Sequence, residues 1–209
     1  MSNEPLPADS VGAVIARALL ARRKDLGYSV SCTTRAPRAG EVDGRDYYFL
    51  SRRAFIDRQE RGEFAESAEV HGNLYGTLQA EVDRVLAGGR HVIMDIDVQG
   101  ALQFRRAFPE SVTVFVLPPS GEVLLERLRE RDTETGGQLV ARLHSALQEL
   151  QAVDEYQYVV VNDDLDTAVD LVSSIIDAEV ASRDRVANLR HQVTQLIERL
   201  EREIENHTS

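Results

Sequence analysis

The hydrophobic pattern of this chain changes period several times, and each change predicts a switch between helix and strand. Apolar residues at positions 14, 15, 18 and 19 share one face of a helix predicted over residues 14–23. Residues 28–33 alternate and are rich in β-branched side chains, which predicts a strand. The helical period returns over residues 51–61, 78–87, 98–107, 120–131 and 138–152, and from residue 166 onward.

Three short, mostly apolar runs between these helices predict buried strands. The runs cover residues 91–95, 112–117 and 158–161. Regular alternation of helix and buried strand is typical of an α/β fold with a parallel sheet. A separate antiparallel pair is predicted over residues 64–70 and 73–75, turning at His71 and Gly72. The chain is therefore expected to join an α/β core to a small, mostly β subdomain.

The carboxyl-terminal tail carries a sparse apolar repeat. Its apolar residues recur at alternating steps of three and four, with charged residues between them: Val186, Leu189, Val193, Leu196 and Leu200. The repeat covers fewer than three heptads, so a weak coiled coil and a helix packed on its own domain both fit the pattern. A homodimer formed through this helix is a hypothesis.

Composition limits the classes of function. A chain of 209 residues with 43% hydrophobic content can bury one ordinary core without disulfides or metals. The net charge of -11 disfavours nonspecific binding to nucleic acid or to an anionic membrane, although arginines can still form a local positive pocket. Cys32 is the single cysteine, and no signal peptide is recognisable, so we expect a cytoplasmic protein. The five histidines show no metal-ligand spacing.

An arginine-rich loop follows the predicted strand at residues 28–33. Arg35 and Arg38 flank Pro37, so two planar guanidinium groups lie on a stiffened segment, and each can hold a pair of phosphate oxygens. Glu41 and Tyr47 follow in the sequence. Their distance lets the Glu41 carboxylate orient the guanidiniums while the Tyr47 phenol donates to the anion that the guanidiniums hold. The loop predicts an anion site, with a solvated loop carrying surface ion pairs as the alternative.

Asp95 and Asp97 lie at the carboxyl end of a predicted buried strand. Ligands bind at this edge of open parallel sheets, and alternation along the strand places both carboxylates on one face. The pair predicts a polar site, and simple solvation of a strand end is the alternative.

Several longer motifs accompany these residues. In chain order they are the run Ser29 to Phe49, Glu66, Gly72-Asn73-Leu74-Tyr75-Gly76-Thr77, Asp95-Ile96-Asp97-Val98-Gln99-Gly100, Arg131-Asp132-Thr133-Glu134-Thr135 with Arg142, and Val161-Asn162-Asp163-Asp164-Leu165. In content, order and spacing the chain resembles guanylate kinases over roughly residues 11–182. The resemblance implies a P-loop kinase-like α/β domain over residues 1–182, in which helices flank a parallel sheet. Its implied parts are a core at 11–34 and 78–182, a GMP-binding subdomain at about 35–77, and a helical lid at about 127–145. Residues 183–209 remain as a helical extension.

The resemblance also implies roles for the side chains that would bind GMP. Ser31 and Glu66 would read the edge of guanine, where a carboxylate accepts from two nitrogens in a pattern that adenine lacks. Thr77 would add a hydroxyl to this set, and it is also predicted to cap the helix at 78–87. The monophosphate would be held and oriented by Arg35, Arg38, Glu41, Tyr47, Tyr75 and Asp95.

A second implied set concerns the phosphoryl donor. Arg127, Arg131 and Arg142 belong to the segment that resembles the lid, which would close over ATP and stabilise charge on the transferred group. Asp97 would orient a water bound to Mg²⁺, and this ion would be held through water and nucleotide rather than by the protein directly. Asn162 resembles a residue that lines the adenine pocket, with a strand-end turn as its alternative.

One motif of the family is missing from the printed sequence. Guanylate kinases begin with an apolar strand and G-x-x-x-x-G-K-[ST], whose backbone amides and lysine hold the donor phosphates. Here Ala8-Asp9-Ser10-Val11-Gly12 precedes the first predicted helix, and the only lysine, Lys24, lies beyond it. The missing strand would lie between those at 91–95 and 112–117, leaving two buried edges unpaired. We expect a truncated or misread start, which the upstream coding sequence would test.

Two functions follow from the sequence. The first is an ATP- and Mg²⁺-dependent guanylate kinase that converts GMP to GDP, with weak turnover because the donor-site motif is missing. The second is a non-catalytic guanylate kinase-like module that binds GMP or a phosphorylated peptide.

Overall fold

The computed structural model describes residues 10–70, 72–130, 139–182, 185–186 and 188–208. The chain divides into two compact units, Met1–Leu171 and Val172–Ser209. The described helices are α1 (Val11–Arg22), α2 (Arg52–Glu60), α3 (Gln79–Ala87), α4 (Val98–Ala107), α5 (Gly121–Glu130), α6 (Leu139–Gln151), α7 (Leu165–Val180) and α8 (Leu189–Thr208). The described strands are β1 (Leu26–Tyr28), β2 (Cys32–Thr33), β3 (Tyr48–Phe49), β4 (Phe64–Val70), β5 (Asn73–Leu78), β6 (His91–Ile93), β7 (Val114–Leu117) and β8 (Tyr158–Val161).

The α/β core of the first unit contains two parallel strand pairs. β1 pairs with β6, so that Gly27 lies opposite Val92, and β7 pairs with β8, so that Phe115 lies opposite Val159. Within the described residues no strand joins β6 to β7, and the core sheet therefore consists of two separate pairs. The gap that the sequence predicts between these two strands stays a prediction, because residues 1–9, which precede α1, lie outside the described residues.

A four-stranded sheet in the order β3-β2-β5-β4, together with α2, forms what we call the β subdomain. β4 and β5 form its antiparallel pair, as predicted, and β2 is antiparallel to β5. The strand predicted over residues 28–33 is in fact two strands, because the chain leaves the core sheet after Tyr28 and joins the subdomain sheet at Cys32. Ser29, Val30 and Ser31 form the link between the two sheets.

Side-chain caps explain where several helices begin. Ser10 accepts a hydrogen bond from the amide of Ala13 at the start of α1, and Ser51 caps α2 as predicted. Asp97 caps α4 by accepting from the amide of Gly100. The prediction that Thr77 caps α3 is wrong: the N-cap residue is Leu78, and Thr77 belongs to β5, where strand pairing with β4 holds its backbone.

Two apolar clusters fix the elements that carry the site. The first joins α1 to β1 and the link that follows it through Ala13, Ala16, Tyr28 and Val30. The second joins β4, α3 and α4 through Ala65, Val82 and Phe104. None of the helices formed by the described residues has both the length and the apolar character needed to cross a bilayer.

The second unit contains the end of α7 and the whole of α8. An ion pair of 3.2 Å joins Arg185 Nε to Glu179 Oε2 within it. One face of α8 carries exposed apolar side chains, with exposed fractions between 43% and 65%. These side chains are Val193, Leu196, Ile197, Leu200 and Ile204, which we call the α8 stripe.

Phe55 is the buried side chain through which α2 packs on the sheet of the β subdomain. Phe55 is fully buried and stacks on Phe64 of β4 with ring centroids 4.4 Å apart, whereas the neighbouring Ile56 is 36% exposed. We expect Phe55→Ala to lower the free energy of unfolding by about 3–5 kcal/mol because it leaves a cavity, and Ile56→Ala to lower it by about 1 kcal/mol or less. Denaturant unfolding measures both, and similar losses for the two variants would contradict this packing.

Candidate functional site

The arginine-rich loop is organised around an ion pair between Arg35 and Glu41. Arg35 Nη2 donates to Glu41 Oε1 at 2.7 Å and Nη1 donates to Oε2 at 3.0 Å, and both side chains are largely buried. Glu41 Oε2 also accepts from the backbone amide of Arg38 at 2.6 Å. Burial alone would raise the pKa of Glu41, but the bonds from Arg35 and Arg38 outweigh it and hold that pKa below its ordinary value. The predicted orienting role of Glu41 agrees with this geometry.

Aromatic rings surround the Arg35 guanidinium. Its central carbon lies 5.5 Å from the centroid of the Tyr47 ring and 6.0 Å from that of Phe49. Tyr75 packs edge-on against Tyr47 with centroids 6.1 Å apart. Burial raises the pKa of Tyr47 to about 12, so its phenol stays protonated and able to donate to an anion at neutral pH. Arg35, Tyr47 and Tyr75, all predicted to bind phosphate, thus lie together.

Two aspartates hold the loop that returns to β3. The buried Asp46 accepts from the amide of Val42 at 2.8 Å and from Arg45 at 2.8 Å. Asp43 accepts from the amide of Phe49 at 2.8 Å. Sequence reasoning assigned neither aspartate a role, although a short-range turn of this kind is a common use of Asp. Together they fix the position of Tyr47, which lies between them and β3.

A second group of polar side chains lies buried at the junction of β4 and β5. Glu66 lies opposite Thr77 in the strand pair, and Thr77 Oγ1 is 3.5 Å from Ser31 Oγ on the link between sheets. All three side chains are buried, and Glu66 is only 5% exposed. The structure therefore brings together the three residues predicted to read guanine.

Glu66 is a carboxyl group in an unfavourable place for charge. Burial is the main cause that raises its pKa, to about 7, and the nearby charge of Asp97 acts in the same direction. Hydrogen bonds from Thr77 oppose the shift without cancelling it. At neutral pH the group is poised between its two forms, which is typical of a carboxyl that has a ligand to bind.

Asp95 and Asp97 each lie at the beginning of a helix. Ser10 donates a hydrogen bond to Asp95 Oδ2, and Asp95 Oδ1 occupies the place that a side chain at position 12 would need, so only glycine fits there. The partial positive charge at the start of α1 favours this carboxylate. Asp97 caps α4, and its carboxylate and that of Glu66 both lie close to Gly100.

The residues predicted for the donor side are described only in part. Asn162 is buried just beyond β8, and Arg127 Nη2 lies 3.5 Å from its carbonyl oxygen. Arg142 lies on α6, which packs against α5. Arg131 lies outside the described residues. The structure thus brings Arg127 and Asn162 into contact, while residues 131–138 of the predicted lid lie outside the described residues.

Glu81 is a buried residue of the site region to which the sequence analysis gave no role. It accepts from the Tyr48 hydroxyl at 3.1 Å, from the Val30 amide at 3.4 Å and from Arg84 at 2.9 Å. The amide of Tyr48 in turn donates to the carbonyl of Ser31 at 2.9 Å. Glu81 therefore ties α3 to the two segments that carry Ser31 and Tyr47. Its position on the buried face of α3 was the available signal.

Comparison with known proteins agrees with this architecture, which is that of P-loop-type kinases. The family model described as guanylate kinase matches residues 9–179. The chain is 44% identical over 183 residues to the guanylate kinase of Caldanaerobacter subterraneus subsp. tengcongensis, covering 88% of this chain and 89% of that protein. It is 41% identical over 191 residues to that of Thermotoga maritima, covering 90% and 92%.

Solved structures give the same result. The crystal structure of guanylate kinase from Anaplasma phagocytophilum aligns with a TM-score of 0.72 and 36% identity, covering 86% of this chain and 88% of that one. The chain belongs to the guanylate kinase family, whose members are nucleoside monophosphate kinases. The roles of individual residues in binding GMP and ATP stay predictions.

The raised pKa of Glu66 has a consequence for stability. Between pH 4.5, the ordinary pKa, and about 7, the folded protein keeps a proton that the unfolded chain has released, so stability falls as the pH rises. We expect Glu66→Gln to remove this effect, so that the variant gains about 2–3 kcal/mol relative to the parent between pH 5 and pH 8.

Denaturant unfolding at several pH values measures this gain. Glu69→Gln is the matched control, because Glu69 lies on the same strand with an exposed carboxylate. Parallel pH curves for the parent and Glu66→Gln would contradict the assignment.

Proposed function

We propose that this protein is a guanylate kinase that transfers the terminal phosphoryl group of ATP to GMP, giving ADP and GDP. The observation that carries the proposal is that the β subdomain and the link leading into it carry two groups of side chains. Ser31, Glu66 and Thr77 form a buried polar set suited to a base edge, and Arg35 with Tyr47 forms a cationic, aromatic set suited to a phosphate.

Guanine recognition would depend on the carboxylate of Glu66. The ionised form accepts from two nitrogens of guanine, while adenine offers no matching pair of donors. A buried group left unpaired by the wrong base is expensive, so this arrangement discriminates more strongly than an apolar pocket. Ser31 and Thr77 would orient the base beside it.

Phosphate binding would rest on groups that are already oriented in the free protein. Glu41 holds the guanidinium of Arg35 in place, and the protonated phenol of Tyr47 lies next to it. Arg38 and Tyr75 would complete the grip, and Asp95 would help to orient the arginines. Preorganised donors lose little on binding, which favours both affinity and position.

The transfer itself needs positioning and charge stabilisation more than acid–base chemistry. A phosphate oxygen of GMP forms a bond to the γ-phosphorus of ATP, and the bond from that phosphorus to the ADP oxygen breaks. Arg127, Arg131 and Arg142 would stabilise the charge on the transferred group, and Asn162 would line the adenine pocket. The acceptor is already an oxyanion, so no histidine base is required.

The guanylate kinase family generally uses Mg²⁺ with ATP. In the described part of the chain no group of three or more acidic, histidine or cysteine side chains could hold a metal ion. We propose, from the resemblance to the family, that the ion enters on the ATP phosphates and is held by nucleotide and water, with Asp97 orienting a bound water. When bound, the ion would supply positive charge that offsets the negative charge of the donor phosphates.

We propose that a polypeptide with only these residues turns over slowly. The sequence contains no G-x-x-x-x-G-K-[ST], and its one lysine, Lys24, lies beyond the end of α1. Loss of a single preorganised donor typically lowers the rate by about 100- to 1000-fold. The same observation favours the alternative function, a non-catalytic module that binds GMP or a phosphorylated peptide in the retained pocket.

The surroundings of the reaction follow from charge and composition. The net charge of -11 gives no electrostatic footprint for nucleic acid, so GMP and ATP are the proposed partners. We propose that this reaction takes place in the cytoplasm, a location that suits a chain whose single cysteine is buried.

The phosphate site is tested by comparing two ion-paired arginines. Arg35 pairs with Glu41 inside the proposed site, and Arg52 pairs with Glu69 outside it. We expect Arg35→Lys to raise the Kd for GMP by about 10- to 100-fold, because lysine keeps the charge but cannot form a bidentate hydrogen bond to the phosphate. Arg52→Lys should leave the Kd for GMP unchanged. Calorimetric titration measures both, with AMP as the nucleotide that should bind poorly. Equal effects of the two variants, or equal affinity for AMP, would contradict the site.

The two functions are separated by restoring the missing motif. We expect a chain extended before residue 10 with an apolar strand and G-x-x-x-x-G-K-[ST] to form ADP from ATP and GMP about 100- to 1000-fold faster than the chain itself. The same extension with alanine in place of the motif lysine is the control. If neither version turns over and a phosphoserine peptide displaces GMP, the binding module is the correct function.

We propose further that α8 joins two copies of the chain. The α8 stripe is a continuous apolar face with the three- and four-residue steps used by paired helices. We expect the mass measured by ultracentrifugation to rise towards that of a dimer with concentration. Leu200→Glu in the stripe should give a monomer, and Gln195→Glu on the opposite face should not. A parent mass that stays monomeric at all concentrations would dispose of the proposal.

A further inference from the structure

The start of α4 lies unusually close to the carboxylate of Glu66. Gly100 is buried in the first turn of α4, and a Cβ atom placed on it would lie 2.7 Å from Glu66 Oε2 and 3.3 Å from Glu66 Cδ. Any side chain at this position would therefore require the carboxylate or the helix to move. Although Gly100 is part of the Asp-Ile-Asp-Val-Gln-Gly motif, neither its spacing nor its composition indicates this contact.

The helix is not free to move away from the strand. Gln103, one turn further along α4, accepts from the amide of Ser67 at 3.1 Å and donates to the carbonyl of Ser67 at 2.9 Å. On the other side of Glu66, Ala65 packs with Phe104 in the apolar cluster of β4 and α4. Both chain neighbours of Glu66 are thus attached to α4, and the separation of helix and strand is held.

The carboxylate is not free to move either. Glu66 is buried, and Thr77 on the paired strand forms hydrogen bonds with it. Asp97 is fixed by its bond of 2.7 Å from the amide of Gly100, and its Oδ1 would be 3.3 Å from the same added Cβ. A methyl group at position 100 would therefore meet two confined oxygen atoms.

We propose that Gly100 is a specificity-determining position, because its missing side chain provides the space in which the Glu66 carboxylate reads the base. This inference rests on the proposed function and adds to it the residue that determines the position of the Glu66 carboxylate. Because Gln103 attaches α4 to β4, the helix fixes how far the Glu66 carboxylate lies from the bound base. Gly100 touches the reading carboxylate rather than the nucleotide, and so it is a positioning residue.

The proposal makes a distinction between nucleotides. Displacing the carboxylate by several tenths of an ångström weakens bonds to the two guanine nitrogens, since hydrogen bonds are steep in distance and angle. IMP has the same phosphate and ribose as GMP but lacks the exocyclic amino group, so it has less to lose. A general loss of folded protein would instead weaken GMP and IMP equally.

The test compares Gly100→Ala with Gly121→Ala. Gly121 begins α5, and a Cβ there would meet nothing within 4 Å, so that variant should bind as the parent does. At pH 8, where Glu66 is ionised, we expect Gly100→Ala to raise the Kd for GMP by about 10- to 100-fold and the Kd for IMP by about 3-fold or less. Calorimetric titrations of both nucleotides measure the ratio. An unchanged ratio of the two Kd values, whether both rise by the same factor or neither changes, would overturn the inference.

A second cycle keeps the proposal testable if Gly100→Ala unfolds the protein. Glu66→Ala removes the nearer of the two oxygen contacts and leaves only the 3.3 Å approach to Asp97, so Gly100→Ala should be tolerated in that background, with little further change in GMP affinity or in denaturant unfolding. Additive effects of the two substitutions would overturn the inference. If the parent binds GMP selectively and the cycle is additive, only the role of Gly100 fails. If the parent binds neither GMP nor IMP, the proposed function fails and this inference fails with it.

Discussion

The burial of the Glu66 carboxylate between β4, β5 and α4 is the constraint around which this site is built. Burial of this carboxyl group lowers the stability of the free protein when the group is ionised, and the rise of its pKa to about 7 reflects that loss of hydration. The surrounding structure retains it through the apolar contact of Ala65 with Phe104 and the clamp between Gln103 and Ser67. The fold thus holds in place a group that would be more stable in water, which is what a selective binding site requires.

The phosphate side of the site uses the opposite strategy. Arg35 and Glu41 neutralise each other across two short hydrogen bonds, so that charge can be kept in a largely buried place without a ligand. Tyr47 and Phe49 pack on the same guanidinium and limit its movement. A phosphate bound here, as we propose, would meet donors whose direction is already set. One half of the site is therefore stabilised by an internal ion pair, whereas the other half holds a buried carboxyl group whose pKa stays raised despite the hydrogen bonds from Thr77.

The periodic elements and the local motifs could be predicted from the sequence, whereas the contacts between segments distant along the chain could not. The bounds of α4 and β8 were predicted as they occur, because each is a strongly patterned run between clear stop signals. The strand at residues 28–33 was predicted as one, since nothing local marks the point where Ser29 leaves the core sheet. Thr77 reads as a helix cap, yet pairing with β4 overrides that preference. The contacts of Glu81 and Gly100 depend on packing between elements, which no spacing along the chain contains.

The split of the first strand also determines how the site can move. Ser31 lies on the link between the core sheet and the β subdomain, and Glu81 fastens that link to α3 through the Val30 amide. The chain makes its second crossing between subdomain and core where β5 passes into α3, next to Thr77. Ser31 and Thr77 therefore lie beside the two crossings, whereas the loop that carries Arg38 lies farther along the chain from both, so a displacement of the subdomain would be restrained most at the proposed base end.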